Sequence, residues 1–393
     1  MNGAGTNGSG DGRARGLRSP DAPSPDAPSP NVVIVGAGPA GTALAAHLGQ
    51  LGVKHVELLD SHDFPRDKTC GSGVSPRGIE VLKELGVWKE VEAEAYPITG
   101  IRLVTPRGHE SYQSAENVEA VICQRRVLDA LILKRALDTG VRFTPNFTAA
   151  EVIEENGRVV GVRAKDGREV RARFTVIAGG THCKLVPSRR PRKIIHAIMG
   201  FWEGVPFKKG HVEMVYDPET VPYYGWLFPE SETRVNIGIT YEDANGKRNA
   251  RELFQRFLDR QYKERLRGAT QVGGWKGHPI ACSYDIEGLT SPGRIVIGES
   301  GLLTHPATAE GIYQGMKSGM LAAVTLRDIL SRGMSEAEAF SDYESRVRAT
   351  FRLSFLAGGL FLKVAKTPVM DWLVKFGERP IIQSAAAKVL ASM

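Results

Sequence analysis

The sequence predicts an α/β protein with a parallel sheet and flanking helices, an inserted mixed or antiparallel β-sheet domain, and a C-terminal helical segment. Three observations predict this class. Residues 31–60 read as strand, glycine loop, helix, strand and acid in unbroken succession. Two later apolar runs, residues 174–178 and 294–297, each lead into glycine and have the look of further buried parallel strands. Between these runs, residues 98–122 and 190–285 read mostly as strand, with one clear helical pattern at Ala250–Gln261, as an inserted sheet requires.

Taken in order, Val32-Val33-Ile34-Val35 is short, β-branched and apolar on both faces, and so reads as a buried strand. It enters Gly36-Ala37-Gly38-Pro39-Ala40-Gly41, a G-x-G-x-x-G loop. An alanine-rich helix follows, with Gly49 and Gly52 as its stop. The next strand, residues 55–59, ends on Asp60. Gly36 permits the tight turn, Gly38 lets a pyrophosphate reach the backbone, and Gly41 lets helix and strand pack closely. The helix N-terminus, Pro39 and Ala40 included, faces the phosphates, and Asp60 accepts from ribose hydroxyls. A lone glycine loop is weak evidence. This one has its strand, helix and acid in place, and marks a Rossmann-like dinucleotide site.

Downstream, residues 77–85 form a helix closed by Gly86, residues 125–137 a second helix, and residues 141–143 begin a strand. Asp166-Gly167 between two β-rich stretches is a hairpin signal. Ser335 and Glu338 form a capping box, and Gly358-Gly359, Pro368 and Pro380 are breakers in the last helical region. The organisation is a disordered tail at 1–30 and a discontinuous nucleotide domain at 31–95, 120–188 and 286–332. A substrate sheet occupies 96–119 and 189–285, and helices 333–393. The tail is rich in Gly, Ser, Pro and Asp, with too little apolar surface to offset ordering entropy.

With 393 residues, two intertwined domains are the natural expectation, and 42% hydrophobic content suits a globular protein. Four scattered cysteines argue against a disulfide scaffold or a metal site and for a reducing cytoplasm. No apolar run is long enough to span a bilayer, and no nucleic-acid partner is indicated. The net charge of +7 is concentrated beyond residue 345, where Arg346, Arg348, Arg352, Lys363, Lys366, Lys375, Arg379 and Lys388 face only Asp371 and Glu378. That basic region suits a lipid surface, giving peripheral membrane contact, or a diphosphate-bearing substrate or an acidic carrier protein. A solvated helix face is the plainer reading.

Four segments together resemble the geranylgeranyl reductase family, within the flavoproteins typified by p-hydroxybenzoate hydroxylase. The glycine loop and Asp60 look like its FAD adenosine site, and Arg125 resembles an arginine that contacts FAD. Phe64-Pro65-Arg66, Lys68 and Cys70-Gly71-Ser72-Gly73 are similar to a Pro-Arg-x-Lys-x-Cys-Gly-Gly-Gly stretch. Tyr224-Gly225-Trp226-Leu227-Phe228-Pro229 looks like a Tyr-x-Trp-x-Phe-Pro box, and residues 298–311 resemble the second flavin motif. The resemblance implies FAD held by Gly36, Gly38, Pro39, Ala40, Gly41, Asp60, Cys70, Gly71, Arg125, Gly298, Glu299, Gly311 and Ile312. Glu299 replaces the usual Asp, Ala309 a usual glycine, and Gly179 the acid of a middle motif; Ser72 and Val74 soften the Cys-Gly stretch.

The implied chemistry is reduction of C=C bonds in an apolar, isoprenoid-like or natural-product substrate, with NAD(P)H or ferredoxin as electron donor. No second G-x-G-x-x-G exists, so a nicotinamide nucleotide binds without its own domain. An unactivated alkene is a poor hydride acceptor and needs a placed proton source. Cys70, Tyr224 and Trp226 are the catalytic candidates. Tyr223, Tyr224, Trp226, Phe228, His305 and Pro306 are expected around the substrate cavity, with Tyr223 a further proton donor or positioner. Cys70 also reads as a structural thiol, and His305 as a packed loop residue. The alternatives are a flavin monooxygenase or tailoring oxidase acting on a hydrophobic or carrier-bound intermediate, and a non-catalytic flavin-bound sensor. The sequence leaves the oligomeric state open.

Overall fold

The computed structural model describes residues 17, 29–186, 191, 193–283 and 286–376. Apart from residues 17, 29 and 30, the expected tail lies outside them, as does Pro380. The first sheet has six strands in the order Thr290–Ser291, Arg294–Val296, Phe174–Ile177, Val32–Val35, Val56–Leu59 and Arg142–Thr144. All neighbours are parallel except the first pair, so the three apolar runs read from the sequence lie side by side at its centre.

The Pro39–Gln50 helix is buried on nearly every side between this sheet and the Ile312–Arg332 helix. Its alanines are therefore contact residues: small side chains let two helix backbones cross closely, and a Cβ on Gly319 would stand 2.5 Å from the Ala40 carbonyl oxygen. Gly49, expected to help stop this helix, lies inside it and makes room for Thr139, whose Oγ1 a Cβ there would meet at 2.0 Å. The helix ends at Gln50.

A seven-stranded sheet stands beside the nucleotide unit, in the order Thr270–Cys282, Lys193–Glu203, Arg234–Glu242, Gly225–Pro229, His211–Val215, Gly100–Val104 and Glu110–Ser114. One face packs the Ala250–Gln261 helix through Leu253, Phe254, Phe257 and Leu258 against Ile198, Leu227, Val235 and Ile237. Period-two alternation sends Met199, Met214, Trp226 and Phe228 to the other face. Gly238 clears space there for the Trp226 indole, whose Cζ2 would lie 2.3 Å from a Cβ. The Asp166-Gly167 turn joins strands Arg158–Ala164 and Glu169–Arg171 of a three-stranded sheet that also holds Ala149–Glu155.

The C-terminal region departs from expectation. A single helix, Glu336–Ala365, capped by Ser335 through the Glu338 N–H at 3.3 Å, runs straight through Gly358-Gly359. Gly358 does not break it, because the glycine serves approach. A Cβ there would sit 2.6 Å from His305 Cε1. The chain does turn after Ala365, and a short helix, Val369–Phe376, follows Pro368.

Candidate active site

One cavity of about 890 Å³ runs from the glycine loop to the aromatic strand. At its nucleotide end Gly36 has φ +104°, which only glycine adopts readily, and a Cβ there would lie 2.5 Å from the Ala178 carbonyl oxygen. A Cβ on Gly41 would approach the Gly36 carbonyl oxygen to 1.9 Å, so helix and loop touch directly. Gly38 differs: the nearest atoms to its missing Cβ are Nη2 of Arg66 at 3.8 Å and of Arg125 at 3.9 Å. Open space at a helix N-terminus, faced by two guanidiniums, is the setting a pyrophosphate needs.

Asp60 Oδ2 accepts from the Ala37 N–H at 2.7 Å and Oδ1 from the His62 N–H at 2.9 Å. The acid thus braces the loop from the cavity wall, and a carboxylate oxygen that accepts one hydrogen bond can still accept another. Arg125 is locked by a bidentate pair with Asp129, Nε–Oδ1 2.7 Å and Nη2–Oδ2 2.8 Å. Asp129 is fully buried, and Arg66 Nη2 also reaches it at 3.5 Å. Glu299 Oε1 accepts from the Ala281 N–H at 3.2 Å, and Ser300 Oγ donates to the Gly180 carbonyl at 3.2 Å, closing the second motif on the altered middle one. The residues present fit FAD: an open phosphate cradle, a ribose-side carboxylate, and backbone at residues 311–312 opening a helix onto the cavity.

Two departures from the family pattern lie in left-handed backbone, Ser72 at φ +65° and Ala309 at φ +55°. Both stand where glycine is usual, so this chain keeps the loop shapes and accepts the strain of a Cβ.

The structure brings Gly36, Gly38, Pro39, Ala40, Asp60, Cys70, Gly71, Arg125, Tyr224, Trp226, Phe228, Glu299, Gly311 and Ile312 to the cavity wall. It places Gly41 and Gly298 behind the wall, as packing glycines. Tyr223 is fully buried elsewhere, against Ile195, Cys282, Ala307 and Leu362, because it closes a turn, its N–H donating to the Thr220 carbonyl at 3.0 Å, before the strand begins at Gly225. His305 and Pro306 also leave the cavity. The His305 Nδ1 accepts from the Ala307 and Thr308 N–H groups at 3.3 and 3.2 Å, its Nε2 donates to the Ser354 carbonyl at 3.2 Å, and Phe355 meets it edge-on. Burial holds its pKa down at about 4, so the ring is a neutral loop brace.

Of the catalytic candidates, Trp226 gives its only polar hydrogen to Asn236 Oδ1 at 2.6 Å and serves as wall. The Tyr224 hydroxyl donates to the Thr308 carbonyl at 2.6 Å, and burial raises its pKa. The Cys70 sulfur accepts from the Ser72 N–H at 3.3 Å on the cavity wall.

The sequence reading missed Glu310. Its side chain lines the cavity, Oε2 accepts from Gln314 Nε2 at 3.2 Å, and Oε1 is sealed from solvent with no hydrogen-bond partner among the described residues. Burial raises its pKa, opposed by Ser75, Gln314 and Arg77. Its charge is felt at Tyr224 together with that of Cys70, which places three proton-bearing groups in one neighbourhood. The one signal was an acid inside the second flavin motif, beside Ala309. Lys68, with Nζ 3.0 Å from His278 Nε2, and the His182 ring 5.1 Å from that of His278 form a nitrogen-rich shoulder on the same cavity. Burial, then Lys68, lowers the His278 pKa to about 4.

Residues 30–240 match the FAD-binding domain family, and this chain belongs to it. The protein is an FAD-dependent oxidoreductase. Its relatives include reductases named for menaquinone and for geranylgeranyl-bearing lipids. It is 32% identical over 321 residues to a menaquinone reductase of Mycobacterium tuberculosis, covering 75% of this chain and 76% of that one. It is 26% identical over 338 residues to digeranylgeranylglycerophospholipid reductase 2 of Methanopyrus kandleri, covering 83% and 84%. A geranylgeranyl bacteriochlorophyll reductase-like structure from Thermoplasma acidophilum superposes with a TM-score of 0.80 at 22% identity, over 89% and 91% of the two chains.

Proposed function

We propose that this protein reduces carbon–carbon double bonds of an apolar, isoprenoid-like substrate. One observation carries the reading: a single cavity joins the dinucleotide cradle to an aromatic wall and contains a carboxyl group whose burial favours its protonated form. FAD, once reduced, supplies the hydride for one carbon of the double bond. The chain does the rest. The loop at Gly36–Gly41 and Arg66 and Arg125 hold the phosphates, and Asp60 and Glu299 the hydroxyls. Met199, Met214, Trp226 and Phe228 line the apolar end and exclude water. Glu310 gives a proton to the other carbon and regains one from water that enters the cavity when product leaves. Tyr224 and Cys70 position the substrate beside it.

NAD(P)H or ferredoxin delivers the electrons, and anaerobic reduction by each in turn distinguishes them. The test is FAD-loaded protein, chemically reduced without oxygen and given a geranylgeranyl-bearing lipid. A product heavier by one pair of hydrogens per bond is the expected result. Turnover only when oxygen is admitted would instead identify a flavin monooxygenase. Glu310→Gln is expected to slow the anaerobic reaction by about a hundredfold or more, the usual range for loss of a general acid. An unchanged rate removes Glu310 from proton transfer while leaving the reductase reading intact.

A further inference from the structure

Among the described residues, eight large hydrophobic side chains are strongly exposed, and five of them fall within one stretch of twenty residues. These are Leu353, Leu356 and Leu360 on the Glu336–Ala365 helix and Val369 and Trp372 on the short helix after it. Spacings of three and four put the leucines on one stripe, and Val369 and Trp372 repeat the spacing. Leu353 and Leu360 are 69% and 64% exposed, so no described residue covers them.

The charges around this stripe are of one sign. At about 100° per residue, Arg352 and Lys363 fall beside Leu356 on the same side of the helix, and Lys366 follows at its end. Among the described residues none of these three is held in an ion pair, whereas Arg346 and Arg348, further back, are held by Asp342 and Glu344. The only acid from residue 345 to 376 is Asp371. It is buried, accepting from Thr105 Oγ1 at 2.6 Å and the Arg107 N–H at 3.2 Å.

The opposite face of the same helices backs the site. Phe361, Ala365 and Met370 pack against Tyr216, Tyr224 and Trp226. The helices therefore stand as a thin partition, with the aromatic wall of the cavity inside and an oily, cationic stripe outside. No described helix is long and apolar enough to cross a membrane, so the stripe suits a surface and not a span.

We propose that this outer face seats the protein on an anionic lipid bilayer, with the leucines and Trp372 entering the headgroup region and Arg352, Lys363 and Lys366 meeting lipid phosphates. A second copy of the chain fits less well. A two-fold contact would bring both sets of cations together with no acid on the described stripe to answer them.

The test uses full-length FAD-loaded protein in vesicle flotation. Binding to phosphatidylcholine vesicles containing phosphatidylglycerol, and much weaker binding to phosphatidylcholine alone, is expected. Each lysine or arginine is worth about a fivefold change near such a surface, so the triple variant Arg352→Gln, Lys363→Gln, Lys366→Gln should bind about a hundredfold more weakly. The triple variant Leu353→Gln, Leu356→Gln, Leu360→Gln should lose flotation while keeping its FAD content and thermal stability. The proposal is overturned by wild-type protein that ignores anionic vesicles, or by a leucine variant that floats like wild type. It is also overturned by a wild-type dimer in sedimentation that the leucine variant abolishes. A chain ended after residue 376 that binds vesicles where the full chain does not would show that its own C-terminal segment covers the stripe, and would overturn it too.

Discussion

Gly38→Ala separates the two things the glycine loop does. Gly38 has φ −73° and ψ −177°, which alanine adopts without strain, and its added Cβ would meet only the Arg66 and Arg125 guanidiniums, at 3.8 and 3.9 Å. The FAD-free protein should therefore keep its stability to within about 1 kcal/mol, a smaller unfolded-state entropy offsetting a poorer helix cap. The same Cβ occupies the space in which a phosphate oxygen approaches the backbone. Losing one charge-assisted hydrogen bond costs about 1.5–3 kcal/mol, or roughly ten- to a hundredfold in FAD affinity. Gly41→Ala is the contrast: its Cβ collides with the Gly36 carbonyl at 1.9 Å, so fold and affinity should fall together. Thermal melts of FAD-free protein and titration of flavin fluorescence read the two effects separately. A Gly38→Ala protein that binds FAD as tightly as wild type would refute the placement of the pyrophosphate, and one that unfolds without FAD would refute the open space.

Other consequences follow from the same geometry. Ala309→Gly removes a Cβ from left-handed backbone and should stabilise the protein by about 1 kcal/mol in denaturant titration, with FAD affinity unchanged or improved. Trp226→Phe leaves the fully buried Asn236 without its indole donor and should cost about 1–3 kcal/mol. His305 has a folded-state pKa lowered from 6.5 to about 4. The unfolded ring takes a proton that the folded one refuses, so stability is full above pH 6.5 and falls as pH drops toward 4, by up to about 3 kcal/mol. His305→Gln should make the melting temperature profile less steep across that window, the remaining slope coming in part from His278. Cys70→Ala should lower turnover without unfolding the protein, and unchanged turnover would return the thiol to a structural part.

Local chemistry was legible in the chain. The positive φ at Gly36, the helix beginning at Pro39 and the brace from Asp60 to Ala37 are set within about thirty residues. Glycine spacing and hydrophobic period therefore specify them before any distant segment arrives. The alternation that exposes Trp226 and Phe228 on one sheet face was legible for the same reason. What the tertiary structure alone decided involves partners far apart in sequence. Gly358 reads as a helix breaker until the His305 loop is laid against it, and Tyr223 reads like Tyr224 until the turn before the strand packs one against Ile195 and Leu362 and leaves the other on the cavity wall. Glu310 looks like an ordinary polar residue in a motif until burial removes water from its carboxyl and favours the proton. Burial is a property of everything packed around a group, and no stretch of sequence carries it by itself.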